Sequence, residues 1–108
     1  MQAQVQRNFR QDTLRGEIVV VQTPEILLNG KGARLAPGAQ IRGQDNLLVM
    51  SAAITGTKLP INYTIDSYGL VKDVWILRPD EVRKTWPRTP EEATRWAFDP
   101  MAQAWVKR

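Results

Sequence analysis

Neither cysteine nor histidine occurs among the 108 residues. Without cysteine the chain has no disulfide framework and no thiolate metal site. Without histidine it lacks the usual proton carrier near neutral pH and the commonest transition-metal ligand, and Ser-His-Asp and Cys-His chemistry are excluded. No apolar run approaches the roughly 18 residues of a membrane-spanning helix. There is no internal repeat and no low-complexity tract. Glu17, Asp45, Asp66 and Asp73, the carboxylates that acid–base work could draw on in the barrel region, lie well apart in sequence. No catalytic, cofactor-binding or metal-binding constellation is therefore expected, and the chain reads as non-enzymatic.

What remains is an ordinary globular composition: 43% apolar and 24% charged residues, with a length that makes one domain. The formal charge of +4 invites a nucleic-acid reading. Its distribution weakens that reading. Residues 17–80 carry as many carboxylates as cations, and the excess lies at the two ends. Arg7, Arg10 and Arg15 face only Asp12 near the start. Arg83, Lys84, Arg88, Arg95, Lys107 and Arg108 outnumber Glu81, Glu91, Glu92 and Asp99 near the end.

The clearest structural signal is residues 59–77, LPINYTIDSYGLVKDVWIL. Two runs rich in β-branched and aromatic residues flank Asp66-Ser67-Tyr68-Gly69, a hairpin signature. Pairing Ile65 with Leu70 places Tyr63 opposite Lys72, Ile61 opposite Val74 and Leu59 opposite Ile76. Most large apolar groups then share one face. The other face carries Thr64/Val71, Asn62/Asp73 and Pro60/Trp75. Upstream, Glu17-Ile18-Val19-Val20-Val21 reads as a strand buried on much of both faces. Glu25-Ile26-Leu27-Leu28 reads as a second strand. Asn29-Gly30 predicts a type I′ turn, because both central positions need positive φ. Ala33-Arg34-Leu35 and Ala39-Gln40-Ile41-Arg42 are two further short strands, separated by a type II turn at Ala36-Pro37-Gly38. Residues 47–50 fit a strand or a helical turn equally well. The fold expected is mainly β: a small barrel of five to seven strands, OB-like or SH3-like, over residues 14–80.

Residues 1–13 are polar and aperiodic, and are expected to form a flexible or loosely docked segment with Phe9 and Leu14 as anchors. The start Met1-Gln2-Ala3-Gln4 resembles an initiator methionine fused to a mature exported chain. Residues 81–108 are expected to form a helical, Trp-rich extension packed on the barrel. Thr89-Pro90-Glu91-Glu92 is a helix start with a cap, a first-position proline and acids in the first turn. A helix to about Phe98 and a second from Met101 to Val106 follow from this reading.

The pattern of residues 14–81, ending in Tyr63-x-x-Asp66-x-x-Gly69-x-Val71, resembles small uncharacterised exported proteins from bacteria with a short β-domain. The resemblance covers about two-thirds of the chain, and its motifs are structural turns. It implies a β fold and a periplasmic or otherwise exported location, and it assigns no functional residue.

The tail is the best functional lead. Trp86, Trp96 and Trp105 lie among Arg83, Arg88 and Arg95, and Trp75 sits opposite the main apolar row of the hairpin. Aromatic and basic residues together could bind a protein partner or an envelope component. Alternatively the indoles fold back to cover a barrel end. The expected function is a non-enzymatic binding protein of the bacterial envelope using Trp75, Trp86, Trp96, Trp105, Arg83, Arg88 and Arg95. The competing reading is an OB-like domain for single-stranded nucleic acid, read through Asn62, Thr64, Lys72, Trp75 and the basic ends.

Overall fold

The computed structural model describes residues 7–107. Five strands close into a barrel: β1 (Leu14–Gln22), β2 (Glu25–Leu28), β3 (Lys31–Arg42), β4 (Leu59–Ile65) and β5 (Val71–Ile76). Their order around the barrel is β1-β2-β3-β5-β4, with β4 returning to β1. All neighbours are antiparallel except β3 and β5, which run parallel. A short 3-10 turn, Ser51–Ile54, lies between β3 and β4. A second layer follows β5. It comprises α1 (Pro79–Val82), α2 (Pro90–Arg95) and a hairpin of β6 (Trp96–Asp99) and β7 (Ala104–Lys107).

The mainly β barrel expected from the sequence is present, and so are the turns at Asn29-Gly30 and at Asp66 to Gly69. Asn29 and Gly30 both take positive φ, at 55° and 81°. In the β4–β5 turn, Asp66 Oδ1 accepts hydrogen bonds from the amides of Tyr68 and Leu70, each at 2.9 Å, while Gly69 sits at φ 80°. This is an Asx-type turn, in which the aspartate replaces a missing backbone acceptor.

The hairpin register differs from expectation by two residues. Tyr63 lies opposite Val74 rather than Lys72, Asn62 opposite Trp75, and Thr64 opposite Asp73. A shift of two keeps every side chain on its face, so Ile61, Tyr63, Val74 and Ile76 still point into the core. A bulge between Thr64 and Ile65 absorbs the difference. It turns Val71 inward and leaves Lys72 exposed. The expected Tyr63–Lys72 contact therefore does not form.

The two short strands around Pro37 are one strand. β3 runs unbroken through Ala36-Pro37-Gly38, with Gly38 at φ 76°. Its first half pairs with β2 and its second half with β5, and the β5 register skips from Leu35↔Val71 to Gln40↔Asp73. A closed five-stranded barrel needs such a bend, because one straight strand cannot follow both neighbours.

In β1 the burial alternates. Ile18 and Val20 are core, Val19 is half-buried and Val21 is exposed. The expectation of two buried faces fails at Val21, whose outward side nothing covers. Gly16 is required by close approach. A Cβ there would stand 2.9 Å from both Asn29 Oδ1 and Tyr63 Cε1. The same Asn29 side chain accepts a hydrogen bond from the Glu17 amide at 2.9 Å, so it cannot easily yield.

The tail departs most from expectation. The helix beginning at Thr89 forms, with Thr89 Oγ1 capping the Glu92 amide at 3.2 Å, but it stops at Arg95. Residues 96–107 form a β-hairpin instead of more helix. Pro100 disfavours helical geometry at Asp99, and Asp99 Oδ1 accepts the amides of Met101 and Ala102 at 3.1 and 3.2 Å, closing a turn. Gln103, at φ 50°, completes it. Strand alternation then puts Trp96, Phe98 and Trp105 on one face.

Residues 7–13 are likewise not loose: Arg7, Phe9 and Thr13 are buried. The expected export signature lies at residues 1–6, outside the described residues.

Gly16→Ala should destabilise the fold by about 1–3 kcal/mol through overpacking. A lowered urea midpoint with an unchanged m-value is the expected reading.

Candidate functional site

The tryptophans singled out from the sequence gather into a second core. Trp86 and Trp105 are each 5% exposed and pack with Phe9 and Leu77; Trp75, Trp96 and Phe98 close around them half-buried. Phe9 contacts both Trp75 and Trp86 edge-on, with ring centroids 5.5 Å apart. Trp86 meets Phe98 at 5.6 Å and Trp105 at 6.0 Å. These T-shaped contacts add to the area buried. The expectation that the four tryptophans offer a partner surface is corrected here: two are interior, and the others lean on them. Trp96 retains part of its ring under Lys107, whose Nζ lies 5.3 Å from the ring centroid.

A polar network locks this core to the barrel. Arg7 donates to both carboxylate oxygens of Glu81, with Nε to Oε2 at 2.8 Å and Nη2 to Oε1. It also donates to the Gly43 and Ile76 carbonyls at 2.9 and 2.8 Å. Glu81 Oε1 accepts the Arg78 amide at the N-terminus of α1, at 2.9 Å. Burial alone would raise the Glu81 pKa. The hydrogen bonds from Arg7 and Arg78, with their charges, outweigh it and hold the carboxyl below its ordinary 4.5.

Arg15 faces the same turn from β1. Its Nε donates to Asn62 Oδ1 at 2.8 Å, and its terminal nitrogens reach the carbonyls of Glu81, Val82 and Lys84 at 3.2 Å. A cation suits the carbonyl end of a helical turn. No carboxylate touches it, however. Burial and the neighbouring Arg88 lower its pKa to about 10, against the pull of Glu81.

Backbone bonds complete the clamp. Trp86 Nε1 donates to the Thr13 carbonyl at 2.7 Å, the Arg15 amide to the Pro87 carbonyl at 2.8 Å, and the Phe9 amide to Gln103 Oε1 at 2.7 Å.

Among the clefts of the described residues, two have linings of contrasting character. One, of about 370 Å³, lies where the linker between α1 and α2 crosses β1 and β4. It gathers Arg15, Arg83, Lys84 and Arg88 around Gly16 and Pro60, with Glu17 as its one carboxylate. So the structure does bring Arg83 and Arg88 together. It leaves Arg95 exposed on α2, outside this cleft. Arg15 and Lys84 join Arg83 and Arg88: Lys84 adjoins Arg83 in sequence, whereas Arg15 is brought there by folding alone.

The other cleft, of about 580 Å³, opens at the bend of β3. It is lined by Thr23 and Pro24 from the β1–β2 turn, Leu35 to Ile41 of β3, Leu70 of the β4–β5 turn, and Val49, Met50 and Ser51. Arg34 is its one charged lining residue, and it pairs with Glu25 at 3.1 Å. Beside it Leu47, Leu48 and Met50 are 66%, 62% and 78% exposed. Three large apolar side chains exposed within four residues are unusual for a loop. The sequence left this segment undecided between strand and helical turn; it is neither, with an isolated bridge at Leu48 followed by the 3-10 turn.

The residues expected to read nucleic acid do not form a platform. Asn62 and Thr64 are buried and Trp75 is half-covered, while Lys72 stands alone on the bulge. No group of three or more acidic side chains that could hold a metal occurs among the described residues, and no helix there is long and apolar enough to cross a membrane. No protein-family model, curated protein or solved structure matches this chain.

Glu81→Gln should cost about 3–5 kcal/mol at neutral pH, because it strands the buried Arg7 charge. The folded pKa of Glu81 is lowered, so its contribution is present above the ordinary carboxyl value and is lost as the pH falls through the folded one. The gap between wild type and variant, read from urea midpoints, should therefore narrow in acid. Separately, Trp86→Ala should lose about 3–5 kcal/mol as a core truncation, lowering the unfolding midpoint of barrel and tail together.

Proposed function

We propose that this chain is a non-enzymatic binding module of the bacterial envelope, with an OB-type barrel that takes a polypeptide partner in the cleft at the β3 bend. The strand order β1-β2-β3-β5-β4, with β3 parallel to β5, supports the OB reading over the SH3-like one. In OB barrels the β2–β3 face and the loops after β1 and β4 form the ligand surface. The 580 Å³ cleft shares β3, the β1–β2 turn and Leu70 of the β4–β5 turn with that surface, and adds Val49, Met50 and Ser51.

The observation that carries the reading is the apolar segment Leu47-Leu48-Val49-Met50 at the rim of that cleft. Exposed aliphatic and methionine side chains suit an apolar partner segment, and methionine adapts to irregular surfaces. The cleft has no aromatic lining and one already paired cation. That favours polypeptide over single-stranded nucleic acid, which needs stacking rings and free cations. The resemblance to exported bacterial proteins supports the envelope location.

A photo-crosslinking residue at Leu48 or Met50, in cells of the source bacterium, should give one discrete protein adduct, and the same probe at Lys31 should not. Leu48→Asp should weaken binding to the captured partner about tenfold or more. Adducts from all three positions alike, or saturable low-salt binding of single-stranded oligonucleotide abolished by Leu48→Asp, would overturn this reading.

A further inference from the structure

The cationic cleft at the opposite margin of β1 is separate from the apolar one. Arg15, Arg83, Lys84 and Arg88 meet Glu17 alone, and Glu17 already faces Lys58 at 3.7 Å. A neighbouring cleft of about 390 Å³ shares Glu17 and Arg88 and adds Lys58, so the positive lining continues along β1. The cations are not consumed by the fold. Arg83 Nε and Lys84 Nζ donate to neutral carbonyls, of Pro79 at 3.3 Å and Ala102 at 3.2 Å. The Arg88 guanidinium has no hydrogen-bond partner among the described residues. Like charges converge here although mutual repulsion works against it.

We infer that this cleft binds a phosphoryl group, with Arg88 and Arg83 as its principal donors, Lys84 as a supporting cation and Arg15 as the fixed charge at its floor. Four cations against one carboxylate leave a positive excess that suits a phosphoryl anion. Two guanidinium forks match phosphoryl oxygens in pairs, as an ammonium cannot. Arg15, buried and with carbonyls but no carboxylate as partners, gains most from an anion beside it. The cleft offers no exposed ring, so it recognises the phosphoryl group and not a base.

The probes are inorganic pyrophosphate, followed by titration calorimetry, and vesicles of phosphatidylglycerol or phosphatidylcholine, followed by sedimentation, each with the full chain at constant ionic strength. Saturable binding of pyrophosphate, or of phosphatidylglycerol but not phosphatidylcholine vesicles, is expected; which of the two binds names the source as a free phosphate or a lipid headgroup. Arg88→Gln and Arg83→Gln are exposed substitutions that leave the core intact, and each should weaken binding about tenfold. Arg95→Gln, outside the cleft, should leave it unchanged. Absence of saturable binding to either probe would overturn the inference. So would equal loss in Arg95→Gln, which would reduce the effect to net charge, or equal competition by sulfate and chloride.

Discussion

The buried pair of Arg7 and Glu81 is the contact on which the second layer depends. Glu81 opens α1 by accepting the Arg78 amide, and through Arg7 it reaches the Gly43 and Ile76 carbonyls. One carboxylate thereby joins the segment before β1, the end of β3, the end of β5 and the first helix. A buried ion pair is weak as a source of net stability, because desolvation offsets most of its attraction. Its value here is specificity. With Arg7 and Arg15 both bonded to the 81–84 turn, the chain after β5 is tied to its path across the barrel.

That path sets everything beyond it. Trp86 lands where Phe9 and Trp75 meet it, and the β6–β7 hairpin lays Phe98 and Trp105 on top. The aromatic cluster covers a flank of the barrel that would otherwise expose Trp75 and Leu77 to water. The same crossing carries Arg83, Lys84 and Arg88, already close in sequence, past Arg15 and so adds a fourth cation to them. The apolar cleft is independent of this layer. It arises where β3 bends away from β5 and the following loop does not fill the gap.

Much of the barrel is legible in the sequence because turns and alternation are local. Asn29-Gly30 and Asp66 to Gly69 need particular φ values and side-chain acceptors that few residues supply. Ile18, Val20, Ile61, Tyr63, Val74 and Ile76 alternate as a strand's inner face must. The hairpin register slipped by two because a period of two cannot detect a slip of two; only the bulge at Lys72, with the neighbours on β1 and β3, decides it. Pro37-Gly38 fits a reversal as well as a bend, so its sequence does not reveal that β3 is one strand. A bend and a reversal use the same residues and differ in whether a partner strand waits on each side.

By itself the sequence determined the absence of thiol and imidazole chemistry, the β character, the two turns and most of the inward face of the β4–β5 hairpin. These follow from residue identity and spacing within about ten positions. Tertiary structure alone decided the rest. Trp96, Ala93 and Ala97 fit a helix as well as Trp96 and Phe98 fit a strand, and the aromatic surface to be covered resolved that in favour of the hairpin. It also decided that Trp86 and Trp105 are core while Trp75 and Trp96 are half-buried against them, since burial is a property of what lies opposite. And it decided that Arg15 meets Arg83 and Arg88: charges scattered in sequence become a site only when strands and linkers fold them to one place.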